Sequence, residues 1–339
     1  MAIETAVVVC AETRLEQLQA RFNTRAQTRF YLEQNGQDFA AYQAEHDTYH
    51  HSLEAVLKAL ARVLKVKPLE RQYVARNLFA DTEVVVVVGR DGLVANTAKY
   101  VGGRPLAGVN PDPSRNVGVL LPFGPDTLLA GLRPVLEGKA YPHRTVTLAE
   151  ARLQDGQRLL AFNDLFVGAE THVSARYGLQ YAGAHEDQSS SGLIVSTGAG
   201  STGWLSSVFN MAWGVQQAFF GTETAPKAPS KAASSKTKKA PAAPAPPPRV
   251  ALPWDTEELI FVVREPYQSQ SSGIALSAGR IGRGTPLVLE SHMPVGGRIF
   301  SDGIEADYLS FTSGTVATIG IADEVARLIS PAETPGVKG

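Results

Sequence analysis

Val84-Val-Val-Val-Val88, followed at once by Gly89-Arg90-Asp91-Gly92, is the stretch on which the fold turns. Five β-branched residues without polar alternation favour a strand buried on both faces. The four residues after it form a turn. Leu93 to Tyr100 then has the pattern of a helix closed by Gly102-Gly103, and Leu106 to Asn110 that of a second apolar strand. Strand, glycine turn, helix and strand make a βαβ unit, with the turn at the carboxyl end of its first strand, the edge at which open α/β sheets bind ligands. Ala6 to Cys10 is a further short apolar strand, and Arg14 to Phe39 is polar and partly helical in pattern. Leu53, Val56, Leu57, Leu60, Val63 and Leu64 recur at helical spacing, which predicts an amphipathic helix over Ser52 to Val66 with Pro68 beyond its end. Asp126 or Thr127 is placed to cap one more helix through Leu136, with Gly138 closing it.

The texture changes after Lys139. Short strand-like runs (Leu159 to Val167, Val173 to Ala182, Leu193 to Val195, Leu259 to Val263, Pro286 to Glu290, Leu309 to Phe311, Val316 to Ile321) are separated by turns rich in glycine. Many short strands after an α/β unit predict a second, all-β domain with a sandwich-like architecture. The expected division is a Rossmann-like α/β domain over 1–138, a β-rich domain over 139–321, and a terminal helix and tail over 322–339, the helix running from Ala322 to Ile329. One segment stands apart. Gly221 to Arg249 is almost entirely Ala, Pro, Lys, Ser and Thr, with six basic residues against Glu223 alone, a local charge of about +5. Its composition predicts a disordered, partly polyproline-extended insertion.

The chain has 339 residues, 44% apolar and 19% charged, enough for two packed domains. Lys plus Arg is 32 and Asp plus Glu is 33, so global charge gives no reason to expect nucleic acid or an anionic membrane as partner. Cys10 is the single cysteine, which excludes an internal disulfide framework and any multi-cysteine metal site. No apolar run approaches the roughly 18 residues of a membrane span. The first residues lack the basic-then-apolar pattern of a leader. A cytoplasmic location is the expectation.

Two motifs carry chemistry. In Gly89-Arg90-Asp91-Gly92 the glycines let the backbone approach a phosphate chain, and the following helix N-terminus favours negative charge there. Asp91 is at odds with a purely anion-binding turn. It suits a Mg²⁺ contact, or a base that takes a proton from a hydroxyl attacking the γ-phosphate. Ser196-Thr-Gly-Ala-Gly-Ser-Thr-Gly203-Trp204 follows the Leu193–Val195 run. It contains G-x-G-x-x-G, but the insertion lies where a second Rossmann strand would be needed, so it is not a dinucleotide fingerprint. A loop of small and hydroxyl residues ending in an indole suits a ribose or phosphate beneath a base. His46-Asp-Thr-Tyr-His50 has the spacing of a zinc pair, but no third ligand is evident, and a solvated helix face is expected. P-loop and nucleophile-elbow motifs are absent from the sequence.

Together these stretches resemble the NAD kinase family, which phosphorylates the adenosine ribose 2′-hydroxyl of NAD to give NADP. The family's Gly-Gly-Asp-Gly turn is similar to Gly89–Gly92, its Asn-Glu pair to Asn163-Asp164, and its Ser-Thr-x-x-Gly-Ser-Thr-Ala-Tyr loop to Ser196–Trp204. Gly108-Val-Asn110 with Asp112-Pro113, Ser190-Ser-Gly192 and Arg264-Glu-Pro266 look most like the mitochondrial-type branch. The resemblance implies an N-terminal Rossmann-like domain, a C-terminal β-sandwich-like domain and a site in the cleft between them. It implies Asp91 as general base, with Gly89, Arg90, Gly92 and Asn96 along the nucleotide. Asn163 and Asp164 would hold ribose hydroxyls or adenine, and Thr202, Gly203, Trp204 and Ser207 would line the nicotinamide side. The substrates implied are NAD(H) and ATP with its Mg²⁺, and no protein-held metal is expected. Family members self-associate, so a homodimer is implied. Arg90 replaces a glycine, Leu93 a threonine, and Asp164 a longer glutamate. Ser191 stands where many bacterial members have Asp. A non-catalytic NAD(P)-binding regulator and a lipid or sugar kinase with a similar turn are the alternatives.

Overall fold

All six residues of the Glu83–Val88 strand are buried, because both of its faces are covered by helices. A computed structural model describes residues 2–220 and 250–331, so the insertion expected over 221–249 lies outside the described residues. The chain begins with β1 (Thr5–Cys10), α1 (Arg14–Phe22), α2 (Arg25–Gln34), α3 (Phe39–Leu60), β2 (Lys65–Glu70), β3 (Glu83–Val88), α4 (Asp91–Ala98), β4 (Pro105–Val109) and α5 (Leu128–Leu136). Strands β2, β1, β3 and β4 lie side by side in that order, all parallel. Val84, Val86 and Val88 pack beneath Tyr49, Val56 and Leu60 of α3 and Leu128 and Leu132 of α5. Val85 and Val87 face Leu93, Val94 and Ala98 of α4 on the other side. This is a doubly wound α/β layer.

The helix expected over 52–66 ends at Leu60, and Lys65 and Val66 open the edge strand β2 instead. Leu64 and Val66 still reach the same core, so their apolar spacing is compatible with either conformation. Pairing with β1 decides it, and Pro68 is tolerated because β2 is an edge. The helix also starts earlier than its apolar stripe suggests, at Phe39, where the Asp38 carboxylate accepts the Ala40 N–H.

The rest of the chain comprises β5 (His143–Leu153), β6 (Arg158–Ala161), β7 (Asp164–Ala169), β8 (Ala175–Tyr181), β9 (Ala184–Ser190), β10 (Leu193–Ser196), α6 (Trp204–Phe220), β11 (Glu258–Val263), β12 (Ala278–Gly282), β13 (Leu287–Ser291), β14 (Gly297–Ser301), β15 (Ile304–Ser310) and β16 (Val316–Ile329). Strands β12, β11, β10, β7, β14 and β15 form an antiparallel sheet in that order. Its Leu165, Val195 and Phe261 pack on Tyr177, Leu289 and Ile319 of a second sheet, giving the sandwich. The edge strands β9 and β12 are polar or glycine-rich and escape detection by apolar pattern.

The terminal helix expected over Ala322–Ile329 is instead the second half of β16. Val325–Ile329 pair antiparallel with His143–Thr147 of β5, and Arg327–Leu328 pair parallel with Pro105–Leu106 of β4. Ala326 and Leu328 are buried while Arg327 between them is exposed, the alternation of a strand. Ladder pairing on both sides overrides the helical preference of Ala, Glu, Arg and Leu. Because β16 also pairs with β13, the α/β layer and one layer of the sandwich are a single ten-stranded sheet. The boundary at 321 therefore falls inside one strand.

A central strand exchanges its amide protons only on global opening. The amides of Val325–Ile329 are expected to match the hydrogen-exchange protection of Val85–Val88. Exchange faster by several orders of magnitude in the C-terminal segment would contradict its place in the sheet.

Candidate active site

The parallel strands run to one side from β1 to β2 and to the other from β3 to β4, so a switch point lies between β1 and β3. Among the clefts that open beyond the carboxyl ends of these strands, two meet at Gly92. Gly92, Asp302 and Gly303 line both and form their common wall. One, of about 480 Å³, brings together Asp91, Gly92, Asn163, Asp164, Thr202, Gly203 and Trp204 from three distant parts of the sequence. The other, of about 370 Å³, takes in Gly89, Arg90 and Asn96. Ser207 lines neither; it is exposed on α6, its hydroxyl 3.4 Å from the Gly203 carbonyl.

Asp91 and Gly92 belong to the first turn of α4 rather than to a turn preceding it, with Arg90 as the N-cap residue. The Asp91 Oδ1 accepts the Leu120 N–H at 2.7 Å, which orients the carboxylate along the cleft. A Cβ at Gly92 would meet nothing within 4 Å. The packing does not require glycine there; its absent side chain leaves room between the clefts. Gly198 and Gly200 are different, since a Cβ would collide with the carbonyls of Pro253 and Asn163. That close approach, with the Thr197 N–H and hydroxyl on the carbonyls of Asn163 and Phe162, fastens the hydroxyl-rich loop to the Asn163-Asp164 turn. The Trp204 indole stacks on Phe166 at 5.7 Å and 13°, with the Arg264 guanidinium 5.5 Å from its ring.

Part of the common wall is Asp302, a residue the sequence patterns pass over as one more Asp-Gly turn. Its side chain is 1% exposed and accepts the backbone N–H groups of Phe162 at 3.0 Å, Asn163 at 2.6 Å and Asp164 at 3.3 Å. The fully buried Lys99 ammonium stands 3.7 Å away and donates to Ser301 Oγ at 2.6 Å. Burial pushes the Asp302 carboxyl up and the Lys99 ammonium down, while each opposes the shift of the other. Asn96 donates to the carbonyls of Gly92 and Asp302, and its Oδ1 is buried without a partner among the described residues. Trp254, at the edge of the low-complexity segment, lines the larger cleft and also lacks a sequence motif.

The smaller cleft is rich in arginine. Arg90 turns away from Asp91 and binds Glu45 of α3 at 2.7 Å. Arg14 binds the same carboxylate and Arg115 lies 4.0 Å from it. Burial works against the charge on Glu45, but Arg14 and Arg90 hold its carboxyl below the usual range. Arg71 also lines this cleft.

Burial, with the nearby Asp302 charge, pushes the Asp164 carboxyl up to about 7. The unfolded chain releases that proton near the ordinary value of about 3.9, so the folded state binds more protons in between and stability falls as pH rises from about 4 to 7. Asp164→Asn is expected to remove this loss. It should be near-neutral at pH 4 and stabilising by about 2–4 kcal/mol at pH 8, as measured by denaturant unfolding across pH. Parallel pH profiles for the two proteins would contradict it.

No family model matches the sequence, and no curated protein matches it. Solved structures do. The crystal structure of an NAD kinase from Archaeoglobus fulgidus in complex with ATP superposes with a TM-score of 0.51 at 15% identity, covering 97% of this chain and 94% of that one. Yeast NADH kinase complexed with NADH gives 0.52 at 10% identity, covering 98% and 84%. The order of the layers and the extent of the match agree over nearly the whole chain: its fold is the NAD kinase fold.

Proposed function

We propose that this chain is an NAD(H) kinase, transferring the γ-phosphoryl group of Mg·ATP to the adenosine ribose 2′-hydroxyl. The observation that carries the proposal is Asp91 at the mouth of α4, sharing one cleft with Asn163, Asp164 and the loop Thr202–Trp204. An arginine-lined cleft adjoins it across a glycine that leaves the passage open. The solved structures with this fold, one holding ATP and the other NADH, agree with it.

In this reading Asn163 and Asp164 receive the ribose hydroxyls, and Thr202, Gly203 and Trp204 the remainder of the dinucleotide. The γ-phosphate lies across Gly92, along Gly89 and Arg90, with Asn96 lining the same cleft. Asp91 takes the 2′-hydroxyl proton as the oxygen attacks phosphorus. The new O–P bond forms, the bond to the bridging β–γ oxygen breaks, and ADP departs. Mg²⁺ would come with ATP as part of the substrate, where it would neutralise phosphate charge. The 2′-hydroxyl is a weak acid and phosphoryl transfer is loose, so positioning and charge neutralisation supply most of the acceleration.

Incubation with Mg·ATP and NAD or NADH should yield NADP or NADPH. Binding of NAD without turnover would favour a regulator, and neither binding nor product would favour another kinase. Asp91→Asn retains size and shape but cannot accept a proton. Turnover is expected to fall about 10²–10⁴-fold with nucleotide affinity little changed. Near-normal product formation would remove Asp91 from the mechanism. Arg90→Gly removes a permanent charge that can leave Glu45 for a phosphate, and about tenfold or more should be lost in kcat/KM for ATP. A gain in activity would identify Arg90 as an obstruction instead.

A further inference from the structure

His46 and His50 have zinc-pair spacing but lack a third ligand in the sequence nearby, and folding supplies one. Helix α1 packs beside α3 and brings Glu16 to the pair, so that neither imidazole belongs to a plain solvated face. Glu16 Oε1 is 2.9 Å from His50 Nε2, and the two imidazole centroids are 4.3 Å apart. One ligand atom from each of the three residues lies within 4.8 Å of the others. We propose that Glu16, His46 and His50 bind one divalent late-transition-metal ion, zinc being the chemically best matched.

The donor set selects the metal. Zinc bonds of about 2.0–2.2 Å at tetrahedral angles require ligand atoms roughly 3.4 Å apart, within reach of small side-chain rotations here. Two imidazoles and one carboxylate suit zinc or cobalt and disfavour Mg²⁺, which demands an octahedron of oxygens. Three protein ligands leave a fourth position for water, and the half-exposed His50 side chain provides its access.

The surrounding bonds already orient the ligands. Glu16 Oε2 accepts the Thr13 N–H at 2.7 Å and the Thr13 hydroxyl at 2.9 Å, which aims Oε1 at His50. Thr13 Oγ1 is also 2.9 Å from His46 Nδ1, the kind of outer partner that fixes a metal-binding imidazole. Thr13 and Arg14 line the smaller cleft, so an ion here would fasten the first turn of α1 to α3 at its rim. The site shares no residue with the chemistry assigned to Asp91 and does not rest on that assignment.

The full chain, stripped with chelator, is titrated with zinc chloride by equilibrium dialysis and with cobalt(II) by visible absorption. One ion per chain, a tetrahedral cobalt spectrum and a zinc-dependent rise in thermal midpoint are expected. His46→Gln and His50→Gln should each weaken zinc binding at least tenfold. Glu16→Gln preserves a residue able to complete the α1 capping box, so it should weaken zinc binding while leaving the metal-free midpoint close to wild type. His185→Gln, elsewhere on the surface, should bind as wild type does. Absence of one-to-one binding to the wild-type chain overturns the proposal without recourse to any variant. Undiminished binding in folded His46→Gln and His50→Gln proteins, or an octahedral cobalt spectrum, overturns it equally.

Discussion

Two stretches of chain far apart in sequence converge on the carboxylate of Asp302, which stands in a third. A buried charge is tolerable only when it is paired and hydrogen-bonded, and here three consecutive N–H groups and the Lys99 ammonium meet that condition. Lys99 follows α4, Asp302 sits in the tight turn between β14 and β15 with φ 53°, and Phe162–Asp164 join β6 to β7. Aspartate tolerates that left-handed conformation better than most residues. Taking away one partner would leave an uncompensated charge, at a cost of about 3–5 kcal/mol. The wall between the two clefts therefore depends on this contact. The glycine loop depends on it at one remove, because Thr197 bonds to Phe162 and Asn163.

A second constraint is the strand that both layers share. β16 pairs with β13 in the sandwich and with β4 in the parallel layer, while β5 runs alongside nearly its whole length. A register shift between Ile321 and Val325 bends it from one role to the other. A site assembled from both layers needs little hinge freedom to keep its parts in register, since the backbone ladder is continuous beneath it.

Charge is distributed unevenly over the two clefts. The larger is walled by tryptophan, glycine and hydroxyl groups around Asp91 and a buried Asp164, while the smaller gathers Arg14, Arg71, Arg90 and Arg115. Glu45 pairs directly with Arg14 and Arg90, while Arg115 lies 4.0 Å from it and nearer, at 3.5 Å, to Asp112. Such a counter-ion holds flexible guanidinium groups in place until a more highly charged anion competes for them. The net charge of −1 conceals this separation. What matters to a ligand is the local field, which composition cannot report.

The buried strand Val84–Val88, the βαβ unit around it and the change to short strands after Lys139 were all legible in the sequence. Apolar periodicity reports burial, and burial on this scale dictates strand and layer. Gly89–Gly92 and Ser196–Trp204 were legible as motifs, the first for an aspartate in a turn suited to anions and the second for its run of small and hydroxyl residues. Asn163-Asp164 has the residue types of a plain turn and was picked out only by the family resemblance. Three things required the tertiary structure. The segment 322–329 became a strand because β4 and β5 offered it two ladders, a non-local gain that outweighs local helical preference. Asp302 and Lys99 looked like an ordinary turn residue and an ordinary helix-end lysine until burial paired them. Glu16 reached His46 and His50 only when α1 folded against α3. Each of these depends on a contact between residues distant in sequence, and the energy of such a contact belongs to the pair, so neither member carries a local sign of it.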